Sequence, residues 1–168
     1  MITLSQVTGG GPIGRPKQYD RTELLDRAVE LFRRQGFNGT STAELVDELG
    51  VNRKSMYAEF GSKQELFEAA LEYYDRNHLT RVLAPIEAAD AGPDAIRGAF
   101  AGYASASEGW FRGRGCLMCN TAVERAALDP ASGEFSASYL DRINRAFRHA
   151  LENGQGAGDL DETANLDE

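Results

Sequence analysis

Apolar positions recur along this chain at helical spacing, and no stretch alternates as a half-buried strand would. After Asp20, residues Leu24, Leu25, Ala28, Leu31 and Phe32 fall on one face of an amphipathic helix that Gly36 should end. After Ser41, Leu45, Val46 and Leu49 form a second short stripe, stopped by Gly50. Val51, Met56, Tyr57 and Phe60 give a third, stopped by Gly61. A longer helix is expected after Ser62, through Leu66, Phe67, Ala70, Leu71 and Tyr74, to about Leu83 before Pro85. Asp20 with Glu23, Ser41 with Glu44 and Ser62 with Glu65 each fit a capping residue followed three later by Glu.

The stretch 88–94, AADAGPD, is a break. Helices are then expected over about 95–107, over 116–128 with Asp129-Pro130 as its stop, and over about 132–153. The segment GQGAG at 154–158 reads as a loop and the end of the chain as an acidic tail. The pattern therefore predicts an all-α protein. Residues 1–18 read as a flexible arm, 19–66 as a compact unit of short helices, and 67–168 as a second helical domain. GGGPIG in the arm is no phosphate loop, because no strand precedes it and Pro12 interrupts it.

Charge sharpens this division. The formal net charge is −8, yet residues 1–65 hold nine Lys/Arg against nine Asp/Glu. The excess acid lies in the second part. A nucleic-acid module needs a local basic surface rather than a basic whole. Two cysteines in 168 residues do not make a disulfide scaffold and suit a reducing cytoplasm. The first residues show no signal-peptide pattern, and no apolar run has the length of a membrane span.

Residues 40–66 concentrate the chemistry. Two short helices joined at Gly50 make a helix-turn-helix, whose second helix can enter a major groove. Val51, Met56 and Phe60 would face inward. Arg53, Lys54 and Ser55, with Glu59 beside them, would face outward. Lys and Arg neutralise phosphates or read guanine edges, and the hydroxyls of Ser55 and Tyr57 donate to phosphate oxygens. Lys63 stands at the start of the next helix, where free amides also favour an anion. Arg15 and Lys17 in the arm could reach the backbone or a minor groove. The pattern alone leaves a second reading open, a solvated basic face in an ordinary helical bundle.

Residues 15–67 resemble the N-terminal domain of TetR-family transcriptional regulators. The matching pieces are LLDRAVELFRRQGF, Thr40, Gly50-Val51, Tyr57 and Phe60 in YAEF, and Lys63 with Leu66. RGCLMCNTAVERA at 114–126 resembles a segment of some members' C-terminal domains. The resemblance implies a homodimeric regulator, most often a repressor. It would bind a palindromic double-stranded operator and be released by a small-molecule inducer, with no cofactor and no membrane partner. By position, Thr40 and Thr42 would contact phosphates. Asn52 stands where Ser is frequent in the family, and both cap helices well. Glu59 stands where a neutral or basic residue is common, and would repel phosphate or accept from a cytosine amine. Family members end in two long helices that pair with a second subunit. On this resemblance the sequence stops where the last of them would begin, and the dimer would rest on the stripe Phe135, Tyr139, Ile143, Phe147 and Leu151 alone or be weaker than in relatives.

A ligand-responsive regulator needs a sensor. Phe100, Tyr103, Trp110, Phe111, Met118 and Tyr139 are the candidate walls of an inducer pocket, against the plainer alternative that they form the core. Cys116 and Cys119 form a lone CxxC with three readings: inert thiols, a redox or electrophile sensor, or half a metal site. No second CxxC completes a zinc set, and His78 and His149 are remote, so no metal is expected. Arg112 and Arg114 near a helix start would lower a thiol pKa. No motif of nucleophilic or metal-assisted catalysis is present. A CxxC oxidoreductase would need a mixed α/β chain, so no enzyme is expected. A helical adaptor that had lost DNA binding would not keep the basic face of residues 53–57.

Overall fold

The computed structural model describes residues 19–109 and 113–166. Among these residues eight α-helices follow one another: α1 (Arg21–Gly39), α2 (Thr42–Leu49), α3 (Arg53–Phe60), α4 (Lys63–Tyr74), α5 (Thr80–Glu87), α6 (Pro93–Glu108), α7 (Leu117–Glu124) and α8 (Pro130–Ala157). Among the described residues there is no strand, and no helix is long and apolar enough to cross a membrane. Arg15, Lys17, Trp110 and Phe111 lie outside the described residues.

The first four helices begin as the sequence predicts. Asp20, Ser41, Asn52 and Ser62 each place a side-chain oxygen on a free amide of the first turn. Ser41 and Glu44 complete a reciprocal capping box. At Gly36 the backbone takes φ 72° and ψ 177°, so α1 breaks there and only a last short turn follows. Gly50 closes α2 in the left-handed conformation (φ 66°, ψ 27°), which turns the chain into α3.

Beyond α4 the structure departs from expectation in three places. The α4 helix does not end near Leu83. It passes through a π-helical stretch, Asp75–Leu79, directly into α5, which runs past Pro85 to Glu87. Proline removes one amide from the ladder, but Leu83 and Ile86 are buried and hold the helix against its neighbours. The α7 helix stops at Glu124 rather than Leu128, and Asp129-Pro130 opens α8 instead of closing α7. Asp129 caps Ser132 at 2.9 Å, and Pro130 occupies the first turn, where its missing N–H costs nothing. GQGAG is the last turn of α8, not a loop. A Cβ at Gly154 would come within 2.6 Å of Pro93, so glycine allows α8 to lie against the start of α6.

The main core is continuous from the first helix to the last. Leu24, Phe32, Leu45, Met56, Phe67, Leu71 and Tyr74 join Leu117, Met118 and Tyr139 in one buried cluster. It crosses the expected boundary after residue 66, because α4 belongs to both sides and α7 packs along α1. A smaller cluster of Ile86, Ala91, Ala146 and Ala150 fastens α5, α6 and α8 at the far end. The α8 stripe expected at a dimer contact faces these two clusters. Phe135, Tyr139 and Ile143 pack on the first, Phe147 on the second, and Leu151 is half-buried. The reason is the helical period: a residue every fourth position fits any apolar partner, and this chain's own core is the nearer one. Leu140 is the large apolar residue of α8 that faces outward.

Candidate nucleic-acid interface

The α3 helix divides as its sequence predicts. Met56 and Phe60 are buried, Val51 packs half-buried beside them, and Arg53 and Lys54 are exposed. Asn52 Oδ1 accepts the Ser55 amide at 2.9 Å, so the helix begins firmly just where the two cations leave it. Among the described residues neither Arg53 nor Lys54 has a carboxylate partner. The Arg53 guanidinium lies 5.6 Å from the centre of the Tyr57 ring. The Tyr57 hydroxyl lies 3.4 Å from Thr42 Oγ1, at the first residue of α2. That bond, and then Arg53, hold the Tyr57 phenol below its usual range. Two hydroxyls and a cation thus converge where α2 begins beside α3, a donor set suited to phosphate oxygens.

Two expected contacts are corrected. Thr40 is only 1% exposed and donates its hydroxyl to the Gly36 carbonyl at 2.6 Å, so it closes α1 instead of facing a phosphate. Glu59 does not face outward. Its side chain is 6% exposed, pairs with Arg21 at 3.3 Å and accepts from the Tyr19 hydroxyl at 3.4 Å. Arg21 also stacks on Phe60. The acid therefore ties α3 to the start of α1, and the repulsion expected from it at a DNA surface does not arise.

Lys63 begins α4 as expected, but its ammonium lies 4.2 Å above the Phe37 ring. Burial lowers its pKa, with Glu124 and Glu44 acting in the opposite sense. Arg125 sits near the same ring at 4.1 Å. Phe37 itself packs on Phe67 and Phe32. Glu124 accepts from the amides of Phe37 at 2.8 Å and Asn38 at 2.6 Å. The sequence gives no signal for this cluster, since its partners stand 86 and 87 positions apart.

The sensor candidates are dispersed. Met118 and Tyr139 are buried in the main core. Phe100 is 63% exposed and meets Phe147 edge-on at 5.9 Å between ring centres. Tyr103 lines a groove of about 420 Å³ between α5 and α6, walled otherwise by Val82, Pro85, Ala95, Ala99 and Gly102. Cys116 and Cys119 are free thiols. The Cys116 thiol lies 3.7 Å from the Tyr139 hydroxyl, whose own ionisation burial opposes. Cys119 keeps an exposed surface, but partial desolvation of its thiol, and then Cys116, push it up to about 11. The lowering expected from nearby arginines is therefore reversed at Cys119, and Arg114 pairs with Glu30 instead. Among the described residues no group of three or more His, Cys, Asp and Glu side chains could hold a metal ion.

Comparisons with known proteins place this architecture. The sequence profile described as bacterial regulatory proteins, tetR family, matches residues 24–70. The chain is 31% identical over 148 residues to the uncharacterized HTH-type transcriptional regulator YezE of Bacillus subtilis (strain 168), covering 88% of this chain and 76% of YezE. It is 34% identical over 134 residues to the HTH-type transcriptional repressor ComR of Escherichia coli (strain K12). That match covers 77% of this chain but only 60% of ComR. The regulatory protein TetR from Rhodobacter sphaeroides superposes with a TM-score of 0.75 at 21% identity, over 86% of this chain and 77% of that one. A cysteine mutant of the TetR-family regulator CifR, in complex with 26-bp double-strand operator DNA, superposes with a TM-score of 0.71 at 27% identity. The shared part is 90% of this chain and 80% of CifR. The proteins it resembles are regulators rather than enzymes, and the chain belongs to the tetR family of bacterial transcriptional regulators.

Proposed function

We propose that this chain is a cytoplasmic transcriptional repressor that binds a palindromic operator as a homodimer and is released by a small-molecule inducer. The observation that carries the reading is α3: Met56 and Phe60 anchor it, while Arg53 and Lys54 stand exposed with no carboxylate partner among the described residues. Thr42 and Tyr57 add phosphate donors beside it. The CifR complex with operator DNA supports the same use of the fold, and ComR, named a repressor, supports the sign of regulation.

A dimer follows from the operator, because half-sites one helical turn apart need two recognition helices. Leu140 of α8 is a large apolar side chain left for a second copy. The α5–α6 groove, walled almost wholly by apolar groups, is the site offered for a compact, largely apolar inducer.

Selection of bound duplexes from a random pool, followed by salt titration of the enriched sequence, tests the reading. A recovered palindrome is expected. The logarithm of affinity should fall with the logarithm of salt at a slope of about 0.9 per neutralised phosphate. No enriched sequence at low salt, from folded protein, would overturn it.

A further inference from the structure

The end of α7 touches both elements that flank the recognition unit. On one side, the Glu124 carboxylate receives the Phe37 and Asn38 amides, which open the short turn after the break at Gly36. Glycine is favoured there because φ is +72°, and a Cβ would meet Glu124 Oε2 at 2.5 Å and displace the carboxylate. That turn leads through the buried Thr40 into the cap of α2. On the other side, Arg125 donates to Gln64 Oε1 at 2.9 Å, in the first turn of α4, directly after α3. Arg125 and Lys63 both lie against Phe37, which joins the two sides into one cluster. Farther back, Arg33 holds the Gly115 carbonyl at 3.0 Å and Arg114 pairs with Glu30, so α7 runs tied along α1 at both ends.

Charged acceptors on backbone amides are among the stronger hydrogen bonds, and two on one carboxylate fix its direction as well as its distance. The last turn of α1, held in this way, cannot move independently of the carboxylate that holds it. We propose that Glu124 is a positioning residue for operator binding: by capping Phe37 and Asn38 it sets where α2 and α3 stand relative to α7. Through α7 it sets where they stand relative to the rest of the helical body. The proposal rests on the operator-binding reading above. Glu124 touches no DNA in this role. Its effect is on the match between two recognition helices and two half-sites, so it acts on the preference for operator over other DNA and leaves the phosphate contacts of each subunit alone.

The test compares Glu124→Gln and Glu124→Ala in the full chain. Both remove the charge, but only Gln keeps one acceptor oxygen. Affinities for the selected operator duplex and for a scrambled duplex of equal length are measured against salt, with amide exchange followed in the free protein. The expected result is a roughly 10-fold or greater fall in the operator-to-scrambled ratio for Ala, within the usual range of coupling between sites. The loss is smaller for Gln, and the salt slope for scrambled DNA is unchanged. Exchange should quicken at Phe37 and Asn38 and also through α2 and α3, while α8 keeps its protection. An unchanged ratio would overturn the proposal. So would equal losses for Gln and Ala, which would make the effect one of charge. Faster exchange confined to Phe37 and Asn38 would overturn it too, leaving a local cap. If the Ala variant does not fold, the Gln variant decides by the same two readouts. If the wild type selects no operator, the operator reading fails by itself, and the exchange pattern still decides the role of Glu124.

Discussion

The two halves of this molecule are built by different rules. In α1 to α4 every helix starts on a side-chain cap one or two bonds long, and a glycine turns the chain out of α1, α2 and α3. In α5, α6 and α7 no side chain caps the first turn. Those helices exist because their apolar faces find α8 and α1. The first half is written locally, and its third helix presents Arg53 and Lys54 to solvent. The second half is held by contacts between distant segments, and its polar groups take their properties from what packs around them.

Four measurements can break or sharpen that contrast. The largest effect is expected at Phe67, which lies fully buried in the continuous core and packs on Phe32 and Phe37. Phe67→Ala should cost about 3–5 kcal/mol by denaturant unfolding and still give a single transition. Two separated transitions would mean that the halves fold independently despite their shared core.

Next comes Cys119. With its thiol pushed up to about 11, the thiolate fraction near neutral pH is roughly 100-fold below that of an ordinary cysteine. Raising the pKa of an acid favours its neutral form, so the nucleophile appears only as pH climbs toward the raised value. Labelling by iodoacetamide, followed by mass spectrometry, should therefore be slow at pH 7.5 and accelerate through pH 10–11. Rapid labelling at pH 7.5 would show that the arginines nearby in sequence, rather than the packing, set its chemistry.

Arg53→Ala and Lys54→Ala should each cost about 1–3 kcal/mol of operator affinity and change the preferred sequence on renewed selection. The thermal midpoint should stay in place, because both side chains are exposed. Unchanged preference would put base reading elsewhere. The smallest effect is expected from Ser41→Ala, which removes one arm of the capping box, at about 1 kcal/mol of folding stability. A cost near zero would show that tertiary packing carries α2 as well, and the contrast between the halves would fade.

What could be read from the sequence follows the same line. Ser41 with Glu44, Gly50, Asn52 and the burial of Met56 and Phe60 were legible because each depends on neighbours within a turn or two. Asp129-Pro130 was misread because an acid followed by proline ends one helix and begins the next with the same letters. Only the bond to Ser132 tells the two apart. Gly154 looked like part of a loop because its reason, the closeness of Pro93, lies some sixty positions away. Thr40 was placed at a phosphate by the family resemblance, and Glu59 on the outer surface by its position in the third helix. Thr40 turns inward to close α1, and Glu59 turns toward Arg21 and Tyr19, which no local pattern announces. The α8 stripe was visible as a stripe, but its period does not name its partner.

The π-helical stretch between α4 and α5 has a consequence for how the chain tolerates change in length. A π turn carries one residue more than the α turn it replaces, and each residue of an α-helix is about 100° of rotation. Asp75–Leu79 therefore works as an indexing joint in a single rod. It lets Leu71 and Tyr74 pack in the main core while Ile86 reaches the second cluster with Ala146 and Ala150 of α8. Arg142 of α8 grips Asp75, the first residue of the joint, at 3.1 Å and Glu87 at the end of α5, and so ties the two together. Deleting one residue there would not shorten a loop. It would straighten the rod, rotate the whole of α5 by about a quarter turn and present its polar side to α8. A chain of this design can change a letter such as the exposed Arg76 more readily than the number of these five residues.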